Sequence, residues 1–155
     1  MTPITILVGS MTGNAEYAAE VIEQILRDDY GHTVEYLRMD KLGPEVFERA
    51  GIFVVCTSTY GIGDVPENAR ELYGALCASR PDLAGVRYAV FGLGDSSYGE
   101  TYSFGGQRFD DILAALGAHR LGERAKHDAQ SKVPAEDYGR EWVRAWHESV
   151  KDALG

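Results

Sequence analysis

Positive charge is what this chain has least of. Its 155 residues carry 15 Lys and Arg against 24 Asp and Glu, a formal net charge of −9. A surface of that sign cannot neutralise a phosphate backbone, which excludes nucleic acid as a partner. It steers instead toward a basic protein surface. Cysteine is scarce as well. Cys56 and Cys77 form no CxxC pair and no disulfide framework, which fits a reducing, cytoplasmic setting. Both thiols are expected to be buried. The four histidines (His32, His119, His127 and His147) show no metal-ligand spacing, so no metal is expected. No Ser-His-Asp or Cys-His arrangement stands out, and no side chain is assigned a catalytic role. Met1-Thr2-Pro3 leads directly into a strand, without a basic leader or a long apolar run. Neither a membrane span nor a secretion signal is expected.

What is present is a regular alternation of strand and helix patterns. Apolar residues make up 45% and charged residues 25%, and the length suits one domain over residues 1–155. Ile4-Thr5-Ile6-Leu7-Val8 and Ile52-Phe53-Val54-Val55-Cys56 are apolar on both faces, as buried parallel strands are. Val34 to Leu37 and Tyr88 to Phe91 read as two more strands, and His119-Arg120-Leu121 begins a weaker fifth. Between them, Ala18-Val21-Ile22-Ile25, Ala69-Leu72-Tyr73-Leu76 and Phe109-Ile112-Leu113-Leu116 keep helical one-face spacing. Tyr138, Trp142, Trp146 and Val150 do the same in a last helix, with the tryptophans in the core. The class is α/β: a doubly wound, five-stranded parallel sheet with helices on both faces.

Three unusual loops follow the first, third and fourth strands. In such a sheet, ligands sit outside the carboxyl ends of the strands, where the strand order reverses. Gly9-Ser10-Met11-Thr12-Gly13-Asn14 lies between a strand and a helix N-terminus, an arrangement that holds an anion. Gly13 is followed by Asn14 and not by the Lys of a Walker loop, so the loop suits one phosphate monoester held by neutral donors. The second loop runs from Thr57 to Asn68, and the third is read from Gly92 to Tyr102. Each carries one tyrosine among glycines and hydroxyls, Tyr60 and Tyr98. Two rings on opposed loops can clamp a flat heteroaromatic ring, while glycines let the backbone reach its edge. A phosphate socket beside an aromatic clamp points to FMN.

The stretches Gly9 to Glu16, Thr57 to Asp64 and Phe91 to Tyr98 resemble the flavodoxin family, over essentially the whole chain. They look most like its short-chain, MioC-type branch and the FMN domains of diflavin reductases. The resemblance implies a flavodoxin-like fold and a one-electron carrier. It implies that Ser10, Thr12, Gly13, Asn14 and the Ala15 amide hold the FMN phosphate. Tyr60 would stack on the inner ring face and Tyr98 would lie nearly coplanar on the outer one. The Gly61 carbonyl would meet flavin N5. Gly94 and Asp95 would touch the ring edge and ribityl chain, with Thr57 and Thr59 close by and Asp128 near the ring. Met11, Ser58, Gly63, Leu93, Tyr102, Phe104 and Gly105 complete the candidate cofactor-binding set. Two departures bear on potentials: Ile62 stands where diflavin domains commonly have an acid, and Asp95-Ser96 stand where Asn or Lys is common.

The expected partners are a flavin reductase as donor and a redox enzyme as acceptor, met through an acidic surface by a monomer. An NAD(P)H-dependent quinone or nitro reductase is the alternative on this fold. It needs a nicotinamide pocket over the ring face that Tyr98 covers. A phosphoacceptor signalling domain would need acids where Gly9-Ser10 and Thr57-Ser58 stand. A flavin-free interaction module is the remaining reading.

Overall fold

The computed structural model describes residues 2–10, 13–40, 42–59, 64–97 and 104–154. The two strands apolar on both faces become β1 (Ile4–Gly9) and β3 (Ile52–Thr57), buried at every position. They pair with each other in parallel and occupy the centre of the sheet. β2 (Val34–Arg38), half-exposed, lies at one edge beside β1, and β4 (Arg87–Gly94) continues the sheet beyond β3. The order β2-β1-β3-β4 puts the reversal of winding between β1 and β3. The loops after β1 and β3 therefore flank the crevice that such a reversal opens.

β4 is longer than the sequence pattern indicates. Gly92, Leu93 and Gly94 belong to the strand, and the third loop begins at Asp95. The fifth position is not one strand but two short ones, β5 (His119–Arg120) and β6 (Ala125–Asp128), both parallel to β4. The break has a cause. The carboxylate of buried Asp110 accepts hydrogen bonds from Tyr88 Oη at 2.6 Å, Arg120 Nη1 at 2.5 Å and Arg124 Nη1 at 2.7 Å. One acid gathers an arginine from each side of the break, and Gly122 turns the chain between them at φ +79°.

The helices cover both faces. α1 (Asn14–Asp28) and α4 (Ala135–Leu154) pack on the face that carries Ile4, Ile6, Val8, Val54 and Phe91. α2 (Arg70–Ser79) and α3 (Phe104–Ala115) cover Leu7, Phe53, Val55, Tyr88 and Val90. The strands' two-residue period explains the division, since neighbouring side chains point to opposite faces. Trp146 is buried and donates through Nε1 to Leu121 O at 2.9 Å, and Trp142 stacks beside it, so both tryptophans pack in the core.

The expectation for the thiols holds for one of them. Cys56 is buried on β3, where desolvation pushes its thiol pKa up, and its Sγ donates to Ala15 O at 3.3 Å. Cys77 is exposed. α2 buries Leu72 and Leu76, and the residue after Leu76 is turned by about 100° away from that stripe.

The amino-terminal end of the sheet is closed by a cluster that the sequence separates by 115 positions. His32 Nε2 and His147 Nε2 are 3.0 Å apart, and Tyr30 stacks on the His147 ring at 3.7 Å. Thr2 O can only accept, so His32 Nδ1 donates to it at 2.9 Å. That fixes the neutral tautomers: His32 Nε2 accepts and His147 Nε2 donates.

Candidate cofactor site

Three loops meet at the carboxyl ends of β1, β3 and β4. Of the sequence-derived site residues, Met11, Thr12, Tyr60, Gly61, Gly63, Tyr98 and Tyr102 lie outside the described residues. The remainder come together at this end of the sheet.

At the first loop, Ser10 is buried and its Oγ accepts from Gly13 N at 3.0 Å. Gly13 sits at φ +91°, a left-handed conformation that a Cβ would strain, and it serves as the N-cap of α1 with no side-chain cap bond. The first turn of α1, with Asn14 exposed and Ala15 buried, thus opens onto the loop. Its dipole is equivalent to roughly half a positive charge at that end. The stretches 9–15, 57–68 and 92–105 contain no Lys or Arg. An anion here is held by neutral donors and a helix terminus, as a phosphate monoester can be.

The second loop is tied to the first and to the two elements that flank the third. Ser58 N donates to Gly9 O at 2.9 Å. Ser10 N donates to Asn68 Oδ1 at 2.9 Å, and Asn68 Nδ2 donates to Asp40 Oδ1 at 3.2 Å. Asn68 was not among the sequence candidates, because nothing local marks an Asn at the far end of a loop as a strut for another loop. Thr57 is fully buried, and its hydroxyl donates to Ser58 O at 3.1 Å. Thr59 Oγ1 donates to Leu93 O at 2.9 Å and accepts from Gly105 N at 3.1 Å, joining the β3 loop to β4 and to the start of α3. Gly105 allows that contact, since a Cβ there would lie 2.3 Å from Ser58 O. Thr57, Leu93 and Gly105 thus support the loops from beneath, and Phe104 is half-buried beside them.

Two buried side-chain polar atoms lack a partner among the described residues, Arg124 Nε and, at this site, Ser58 Oγ. Buried hydroxyls are nearly always paired. An unpaired one at the meeting point of three loops, beside an open helix terminus, is what a site for a hydrogen-bonding ligand looks like. The donor set and this hydroxyl fit FMN.

At the rim, two acids are joined through a residue that the sequence did not single out. Gln130 Nε2 donates to Asp95 Oδ1 at 2.8 Å, and Gln130 N donates to Asp128 Oδ1 at 2.9 Å. Asp128 Oδ1 also accepts from Ser96 N at 2.9 Å, and Asp95 Oδ1 from Ser97 N at 2.9 Å. Hydrogen bonds from Ser97 and Gln130 hold Asp95 below the usual carboxylate range, and those from Ser96 and Gln130 do the same for Asp128. Both remain ionised at neutral pH. Among the described residues there is no cluster of three or more groups suited to a metal, and no helix is long and apolar enough to cross a membrane.

Fold and loops together define a protein built around a phosphate-bearing cofactor at the winding reversal of a parallel sheet. The flavodoxin family model matches residues 6–142. The chain is 34% identical over 151 residues to protein MioC of Escherichia coli K12, covering 97% of this chain and 100% of that one. It is 37% identical over 155 residues to the sulfite reductase flavoprotein alpha-component of Cronobacter sakazakii, covering 97% of this chain and 24% of that one. The structure superposes on a cysteine-to-alanine mutant of flavodoxin from Pseudomonas aeruginosa with a TM-score of 0.81 at 29% identity, over 96% and 99% of the two chains. This chain belongs to the flavodoxin family. It is an electron carrier, not an enzyme, and its cofactor is FMN. The NAD(P)H-dependent reductase reading is not favoured.

Proposed function

We propose that this protein is a single-domain, monomeric shuttle that takes electrons from a flavin reductase and passes them to redox enzymes. The observation that carries the site assignment is the buried hydroxyl of Ser58, which has no partner among the described residues, at the meeting point of the loops. In this reading the FMN phosphate lies against Ser10, Thr12, Gly13, Asn14 and the first amides of α1. Ser58 and Thr59 offer hydroxyls from the β3 loop, and Tyr60 and Tyr98 cover the two ring faces. Bound FMN supplies the electron-accepting ring. The chain orients that ring and excludes water from it. Asp95 and Asp128, both ionised, surround its edge with negative charge, which opposes further negative charge there.

The free thiols of Cys56 and Cys77 support a reducing, cytoplasmic setting. The net charge of −9 supports basic partner surfaces. Reductive titration of the FMN-loaded protein, followed in the visible spectrum, tests the carrier role. The expected result is uptake of electrons one at a time and no fast reduction by NADPH alone. Fast reduction by NADPH without a reductase would contradict it and restore the quinone or nitro reductase.

A further inference from the structure

The root of the first loop is packed without slack. A Cβ on Gly9 would lie 2.9 Å from Thr57 Oγ1, 3.1 Å from Ala69 Cβ and 3.1 Å from Met39 Sδ. Met39 and Ala69 are fully buried there, and Met39 N donates to Val8 O at 2.9 Å. The chain neighbours of these two anchors are polar: Asp40 follows Met39, and Asn68 precedes Ala69. Both are thereby held beside the loop, one from the end of β2 and the other from the short 3-10 turn Glu67–Ala69.

What these two side chains touch fixes how they are oriented. Ser10 N can only donate, and it donates to Asn68 Oδ1 at 2.9 Å. Desolvation works against the charge of Asp40, but hydrogen bonds from Asn68 and its own backbone, and the nearby Arg38, hold it below the usual carboxylate range. Ionised, Asp40 can only accept, and it accepts from Asn68 Nδ2 at 3.2 Å. The two partners together dictate which way the amide faces, nitrogen to Asp40 and oxygen to the loop. Asp40 Oδ1 also accepts from Arg38 Nε at 3.3 Å, and Arg38 Nη1 reaches Glu16 in the first turn of α1. The series Ser10, Asn68, Asp40, Arg38, Glu16 thus runs outside the loop and joins its two ends. On the other side, Tyr17 N is bonded to Gly13 O at 3.0 Å, and the amides ahead of it in α1 are those with no helical carbonyl to meet.

We propose that Asp40 and Asn68 are positioning residues for phosphate recognition. Asp40 orients the Asn68 amide, and through Asn68 and Arg38 it holds the two ends of the loop at the separation a phosphate monoester requires. The proposal rests on the FMN reading and adds what gives that site its preference for a phosphorylated flavin. Exposed ion pairs such as Arg38 with Asp40 and Glu16 contribute little to folding. Their effect here falls on the ligand, because preorganised donors bind without the cost of being ordered first.

The test titrates the full chain with FMN and, separately, with riboflavin, following flavin fluorescence, and records the thermal midpoint of each variant. Asn68→Asp sets two carboxylates against each other where an amide bridged, and FMN affinity is expected to fall at least about tenfold. Riboflavin affinity should stay within about twofold of wild type, because that ligand has no phosphate to misplace. Adding Asp40→Asn to Asn68→Asp restores a donor facing an acceptor with the same net charge, and should recover most of the loss. Asp40→Ala changes only an exposed side chain, so it folds whether or not the Asn68 variant does. It is expected to weaken FMN at least about threefold with riboflavin unchanged. A plain charge effect would act the other way, since removing an anion near the socket favours a phosphate. FMN bound by Asp40→Ala as tightly as by wild type, or more tightly, overturns the proposal. So does an equal loss of both flavins, which would make the residues merely structural, or a double variant no better than Asn68→Asp alone. A wild-type chain that binds no FMN would instead defeat the cofactor reading beneath it.

Discussion

The two ends of one sheet are built on opposite plans. At the carboxyl end, β1, β3 and β4 run out into loops of glycine and hydroxyl residues, with a left-handed Gly13 and a buried hydroxyl at Ser58 that lacks a partner among the described residues. At the amino-terminal end the same layers are closed. Phe47 packs on Phe53, Arg49 pairs with Glu35, and His32, His147, Tyr30 and Thr2 O form a satisfied cluster. The closed end contributes stability and asks nothing of a ligand. The open end leaves donors unpaired so that a ligand can use them, at some cost to the chain alone.

The largest effect that tests this contrast should come from the core. Phe53 is 1% exposed, and Phe53→Ala should destabilise the FMN-free protein by about 3–5 kcal/mol in urea unfolding. Its FMN affinity under native conditions should change little. A tenfold loss of affinity with little loss of stability would mean the two ends are not separable. Next comes Gly105→Ala. The new Cβ would lie 2.3 Å from Ser58 O, and relieving the clash moves the β3 loop, at a cost of about 1–3 kcal/mol. Equilibrium dialysis should show FMN bound at least about tenfold more weakly. Wild-type affinity would show that this loop does not touch the cofactor.

Ser58→Ala is smaller and more pointed. It deletes a buried hydroxyl that has no partner among the described residues, so the FMN-free protein should be as stable as wild type or slightly more so. FMN affinity should nevertheless fall severalfold. Lower stability with unchanged affinity would make the hydroxyl structural. The smallest effect lies at the closed end. Burial, and then the neighbouring His32, hold the His147 pKa below its ordinary value. As pH falls below about 6.5 the unfolded chain takes up this proton first, so stability drops until the lower folded pKa and is level beneath it. Tyr30, His32, Glu148 and Lys151 surround that ring, and Arg144, paired with Asp29, acts on Tyr30. His147→Phe should flatten this part of the stability–pH curve, read by thermal unfolding. An unaltered slope would assign it to another group.

The sheet was legible because Ile4 to Val8 and Ile52 to Cys56 are apolar on both faces, a pattern that suits central parallel strands. The three loops were legible because glycine and hydroxyl residues repeat after strands. What escaped depends on distance in sequence. Nothing near His119 indicates that Asp110 will draw Arg120 and Arg124 together and break the fifth strand. His32 and His147, Asn68 and Ser10, and Gln130 and Asp95 meet only once the chain is folded. Cys77 was misplaced for a simpler reason. A cysteine beside Leu76 in an apolar helix pattern reads as core, while the helix turns it outward.

The most direct test of the account is the visible spectrum of the purified wild-type chain, recorded after adding FMN, or riboflavin in parallel, and removing the excess. The account predicts flavin bands that stay with the protein at about one FMN per chain, and far weaker retention of riboflavin, because the first loop and the start of α1 grip the phosphate. A colourless protein that retains neither flavin, or one that retains both equally, would contradict it.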